Sequence, residues 1–203
     1  IIPVHMGGRI ANIKQIIKIA NKHNLIVIED AAQALGSKNK KNVPSHLSDM
    51  SCYSFSVAKL VSTGQGGFIA TNNEHYYKYL KSIRTHGLEN VIHNENIWPM
   101  PGLNFRFNDI LASIGLEQIK KISSRIIKVR AIYKKYESEL KNCKSIKIIP
   151  VDLKNGEVPL YVEALVIERE KFKIYLSANN IETRIFYPDI NEAKYLNVKK
   201  DTF

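Results

Sequence analysis

The chain has 203 residues, 44% apolar and 24% charged, a balance that suits a folded globular protein and excludes wholesale disorder. Its 30 basic residues against 19 acidic ones give a net charge of +11, but the lysines are spread along the chain, so a solvated basic surface is expected ahead of a nucleic-acid footprint. No apolar run reaches the ~18 residues of a membrane-crossing helix and no signal peptide is visible, while two cysteines, Cys52 and Cys143, exclude a disulfide framework and suit a reducing cytoplasm.

Ile1-Ile2-Pro3-Val4 reads as a strand already in progress, and Asp201-Thr202-Phe203 carries no cap or polar tail, so a piece of a longer protein is expected. Residues 12–23 place Ile13, Ile16, Ile17 and Ala20 on one helical face, and Leu25-Ile26-Val27-Ile28 follows as an apolar run suited to a strand buried on both sides. Strand, helix and strand make a β-α-β unit, whose second strand ends in Glu29-Asp30, where open α/β sheets gather ligands. A surface loop over 36–49 precedes strands over 50–55 and 66–71, and a helix over 74–84 with Tyr77, Leu80 and Ile83 or Arg84 turned inward.

Residues 86–107 are aromatic and rich in asparagine and proline, a long irregular segment of the kind used for function or interfaces. Asn108 or Asp109 caps the next helix, and a basic helix over 123–140 reads as a connector between two lobes. Strands over 146–150 and 161–167, a helix over 171–179 and a strand over 181–187 then suggest a smaller α+β domain. The expected division is 1–140 for the large domain and 141–203 for the small one.

Chemistry concentrates at 54–67, where Lys59 stands between a short apolar strand and a glycine-rich turn. Lysine is seldom placed there without a partner or a task. Pyridoxal phosphate needs an amine to hold its aldehyde, an acid for its pyridine nitrogen and donors for its phosphate. Lys59, Asp30 and Ser54 supply those three types. The six histidines form no helical His-x-x-x-His pair, so no metal site is expected.

Motifs along the whole chain carry a resemblance: Pro3-Val4-His5 with Gly8, Glu29-Asp30-Ala31-Ala32-Gln33-Ala34, Ser54-Phe55 to Lys59, Thr63-Gly64-Gln65-Gly66-Gly67, Arg84-Thr85-His86-Gly87 and Gly102-Leu103-Asn104-Phe105-Arg106. In this order they resemble the DegT/DnrJ/StrS family of pyridoxal-phosphate-dependent sugar aminotransferases. The resemblance implies an α/β protein with the type I aspartate aminotransferase fold, a mostly parallel sheet flanked by helices, and part of a small α+β carboxyl-terminal domain. It implies Lys59 as the Schiff-base lysine and proton shuttle, Asp30 as partner of the pyridine nitrogen, Gln33 as contact to the phenolic oxygen and ring, and Ser54 as phosphate ligand. Asn104 matches an asparagine that reaches the phosphate of a neighbouring subunit, which implies a homodimer with shared sites. His5, His86 and Arg106 are carried over as members of the substrate region.

The implied reaction moves an amino group from glutamate to a nucleotide-linked keto-sugar for surface polysaccharide or glycan synthesis. Leu60 and Gln65 depart from the family's usual Asn and acid, and the amino-terminal phosphate turn and ring-stacking aromatic of the family lie outside this sequence. A dehydratase of the same family would carry histidine in place of Lys59. A noncatalytic regulatory or nucleic-acid-binding relative would have no need of Lys59, Asp30 and Gln33 together.

Overall fold

The computed structural model describes residues 1–40, 42–88, 98–187, 190 and 193–196. Residues 89–97 of the irregular segment and the terminal Asp201-Thr202-Phe203 lie outside that description. The chain divides into two compact units, Ile1–Leu165 and Val166–Phe203.

The first unit opens with the expected β-α-β path. Residues 1–5 run parallel to β1 (Ile28–Asp30), with Ile28 N–H donating to Ile1 O at 3.0 Å and Asp30 N–H to Pro3 O at 2.9 Å. Between them lies α1 (Ile13–Lys22), where the Asn12 side chain accepts the Gln15 N–H and relieves one orphan donor of the first turn. Its apolar face forms a core in which Ile13, Ala20 and Val27 are buried and Ile16 and Ile17 pack beside them. The strand begins later than its apolar run suggests. Leu25 and Ile26 are each 48% exposed and precede β1, and the buried residue of the run is Val27.

The central sheet has the order β1-β2-β3, with β2 at Met50–Ser54 and β3 at Gly67–Ala70. β1 and β2 are parallel, with Asp30 opposite Cys52, whereas β3 returns antiparallel with Gly67 opposite Ser54. The glycine-rich turn therefore closes beside the strand end that leads to Lys59. On α2 (Glu74–Arg84), capped by Asn73, Tyr77 is 57% exposed and does not face inward; Tyr76, Leu80 and Ile83 are half-buried and Ser82 is buried.

Asn108 caps α3 (Asp109–Ile119), its Oδ1 accepting the Leu111 N–H at 2.9 Å. The long α4 (Ile122–Glu139) buries Tyr133, whose hydroxyl donates to Ile149 O at 3.1 Å and accepts the Val151 N–H at 2.9 Å. β4 (Ile146–Ile148) and β5 (Ala164–Val166) form a second, two-stranded sheet.

In the second unit α5 (Arg169–Ala178) carries exposed pairs, Lys171 with Glu168 at 2.6 Å and Lys173 with Glu170 at 3.0 Å. Such solvated pairs contribute little stability. The strand expected over 181–187 does not form: these residues have no regular secondary structure. No helix among the described residues is long and apolar enough to cross a membrane.

Candidate active site

Asp30 ends β1, Ser54 ends β2, and the parallel pairing of the two strands brings both residues to one sheet edge. Asp30 Oδ1 accepts the Ala32 N–H at 3.0 Å, and its second carboxylate oxygen has no hydrogen-bond partner among the described residues. The Ser54 hydroxyl accepts the Ser56 N–H at 3.2 Å, which leaves its own proton available to donate.

Lys59 sits in a small closed loop. Ser56 bridges to Gly64, Thr63 N–H donates to Phe55 O at 2.9 Å, and Lys59 N–H donates to Ser56 O at 3.1 Å. Burial pushes the Lys59 amine below the ordinary lysine range, and the Asp30 carboxylate opposes this without cancelling it. A lysine desolvated in this way spends more of its time as the nucleophilic free amine. Cys52, opposite Asp30 in the sheet, is shifted upward by burial and by the same carboxylate.

Gln33 follows three residues after Asp30, and its Oε1 accepts the Gly7 N–H at 2.9 Å. That bond fixes the amide with Nε2 free to donate. A cleft of about 420 Å³ is lined by Lys59, Ser62, Gln118, Arg125, Lys128 and apolar neighbours. Asp30, Gln33 and Ser54 are absent from its lining, so it is not where these groups converge.

His86, Asn104 and Arg106 form a separate exposed cluster. Thr85 bridges to Asn104, Arg106 Nε donates to Asn104 Oδ1 at 2.9 Å, and Arg106 Nη2 donates to His86 Nε2 at 3.3 Å. The Asn104 amide nitrogen keeps both protons free among the described residues. Phe107, next in the chain, reaches back to the lysine loop with its ring centroid 6.1 Å from that of Phe55.

His5 is not in a cleft. It is fully buried, and both ring nitrogens are engaged: the Ala11 N–H donates to Nδ1 at 3.1 Å, so Nε2 carries the proton and donates to Glu29 Oε2 at 2.7 Å. Expected in the substrate region, His5 has its side chain buried and its backbone N–H on the carbonyl of Asp30. Its partner Glu29 is a residue that sequence reasoning left without a role. The signal was the adjacent pair Glu29-Asp30: neighbours on a strand face opposite sides, so one acid had to turn inward.

The model of the DegT/DnrJ/EryC1/StrS aminotransferase family matches residues 1–202. The chain belongs to this family. It is 34% identical over 141 residues to a GDP-perosamine synthase of Caulobacter vibrioides, covering 69% of this chain and 37% of that protein. With the GDP-perosamine synthase of Escherichia coli O157:H7 it shares 32% identity over 190 residues, covering 91% of the chain and 51% of that relative. A DegT DnrJ EryC1 StrS aminotransferase from Brucella abortus superposes with a TM-score of 0.84 at 27% identity, over 93% of this chain and 49% of that one. The chain thus spans about half the length, or less, of these family members.

The expected α/β fold of type I transferases is the fold of this chain, and pyridoxal phosphate is the cofactor of the family it belongs to. The residues present fit that group: a carboxylate with a free oxygen and a hydroxyl with a free proton end adjacent strands, and a desolvated amine stands in the following loop within electrostatic reach of the carboxylate.

Proposed function

We propose that the protein is a nucleotide-sugar aminotransferase, moving an amino group from glutamate to a nucleotide-linked keto-sugar for polysaccharide or glycan synthesis in the cytoplasm. The observation that carries this reading is Lys59, in the loop after β2, with its amine pushed toward the free base by burial and within electrostatic reach of the Asp30 carboxylate. Bound pyridoxal phosphate supplies an aldehyde that joins to an amine and a ring that withdraws electrons.

Lys59 Nζ would hold the aldehyde, and its free amine would take a proton from the substrate carbon and return one, as general base and then acid. Asp30 holds the proton on the pyridine nitrogen through its free carboxylate oxygen. Gln33 donates from Nε2 to the phenolic oxygen, and the Ser54 hydroxyl donates to the phosphate. Asn104 serves the phosphate of a second copy of the chain in a homodimer, and His86 and Arg106 beside it face substrate. Residues 1–140 belong to the large domain in this reading and 141–203 to the small one.

The test supplies the full-length protein with pyridoxal phosphate, glutamate and a panel of nucleotide-linked keto-sugars. Sugar-dependent release of 2-oxoglutarate, with an amino-sugar product and loss of both in Lys59→Ala, is expected. Loss of water from the sugar without amine transfer would replace this reading with that of a dehydratase.

A further inference from the structure

His5 and Glu29 form a buried imidazole–carboxylate pair that the chemistry above leaves without a task. His5 is 0% exposed and Glu29 1%. Burying such groups is costly unless every polar atom finds a partner, and here they do. Beyond His5, Glu29 Oε1 accepts the Ser45 N–H at 2.7 Å and the Ser48 hydroxyl. Burial alone would raise the Glu29 carboxyl, but hydrogen bonds from His5, Ser48 and Ser45 outweigh it and hold it below its ordinary value.

Apolar residues of similar volume would fill this space at lower cost, and the best-attested use of a buried polar pair is to fix register. Register matters at this place. The backbone N–H of His5 donates to Asp30 O at 3.0 Å, and that of Asp30 to Pro3 O at 2.9 Å. Two residues after His5, Gly7 N–H holds the Gln33 amide at 2.9 Å. One short segment, 3–7, therefore grips the backbone of Asp30 and the side chain of Gln33, and its side-chain anchor in the interior is the His5–Glu29 bond.

We propose that His5 and Glu29 are positioning residues that set the register of segment 3–7 against β1 and thereby aim the Asp30 carboxylate and the Gln33 amide; this rests on the reading of Asp30 and Gln33 as cofactor residues. A slip of the segment would displace both of its contacts together.

The test uses the full-length protein with Glu29→Gln, which keeps the side-chain volume, and Ser48→Ala, a milder change that removes one hydrogen bond to Glu29. Ile13→Val is the control, because it loosens the α1 core and removes none of the hydrogen bonds of the pair. Melting temperature, pyridoxal phosphate affinity and the pH midpoint of the bound cofactor's visible band are measured for each. For a given loss of melting temperature, Glu29→Gln and Ser48→Ala weaken cofactor binding by about tenfold, the size of one lost charge-assisted hydrogen bond, and move the pH midpoint, while Ile13→Val keeps it. Affinities of both variants within about twofold of Ile13→Val, with the wild-type midpoint, overturn the proposal. Should Glu29→Gln fail to fold, Ser48→Ala decides alone. A wild type that takes up no cofactor overturns the reading of Asp30 and Gln33 instead.

Discussion

Arg125 Nη1 donates to the carbonyl of Leu60 at 2.7 Å, so the long helix α4 holds the chain one residue past Lys59. Leu60 is 8% exposed with this donor in place. Arg125→Met keeps the apolar stem but leaves that acceptor unpaired, which costs about 1–3 kcal/mol. Urea denaturation of the wild type and the variant measures the difference, and equal stabilities would show that the bond does not tether the lysine loop.

Gly64 and Gly66 both have positive φ, at 83° and 111°, but their surroundings differ. A β-carbon on Gly66 would collide with the Phe107 ring, whereas one on Gly64 meets nothing within 4 Å. Gly64→Ala is expected to cost roughly 1–2 kcal/mol of backbone strain, and Gly66→Ala distinctly more because it also displaces the Phe107 ring. Parallel thermal melts check the order; the reverse order would mean that Phe107 does not pack on the turn.

Tyr133 is 1% exposed, and its hydroxyl links α4 to the stretch after β4 through Ile149 and Val151. Tyr133→Phe preserves the packing and strands the buried Val151 N–H. The expected loss is about 1–3 kcal/mol, read by chemical denaturation.

The candidate lysine, acid and glutamine could be named from the sequence because their chemistry and spacing are local: Asp30 and Gln33 lie within one strand and its turn, and Lys59 within one loop. The helices were legible for the same reason, since α1 shows Ile13, Ile16, Ile17 and Ala20 on one face. Burial was not. Leu25 and Ile26 look like strand core but precede β1, and 181–187 is as apolar as a strand without forming one, because an apolar run says nothing of which neighbour will cover it. His5 reads from the sequence only as a member of the substrate region, because its partner Glu29 lies 24 residues away.

The position of Glu29 has a consequence in acid. Its carboxyl lies below the ordinary value of 4.5, so the folded chain binds this proton more weakly than the unfolded chain. The stabilisation is full above pH 4.5 and is lost as pH falls through the lower folded value. Stability followed by circular dichroism between neutral and acid pH should fall more steeply below that point in the wild type than in Glu29→Gln. Identical pH slopes would mean that Glu29 is not held in its charged form.

The most direct measurement takes the full-length protein, adds pyridoxal phosphate, reduces with borohydride and locates the attached cofactor by peptide mass spectrometry. The expected result is cofactor fixed on Lys59 in the wild type and no such attachment at this loop in Lys59→Ala. A wild type with no reducible link, or a Lys59→Ala variant that retains it in equal amount, would contradict the assignment of Lys59 as the residue that holds the cofactor.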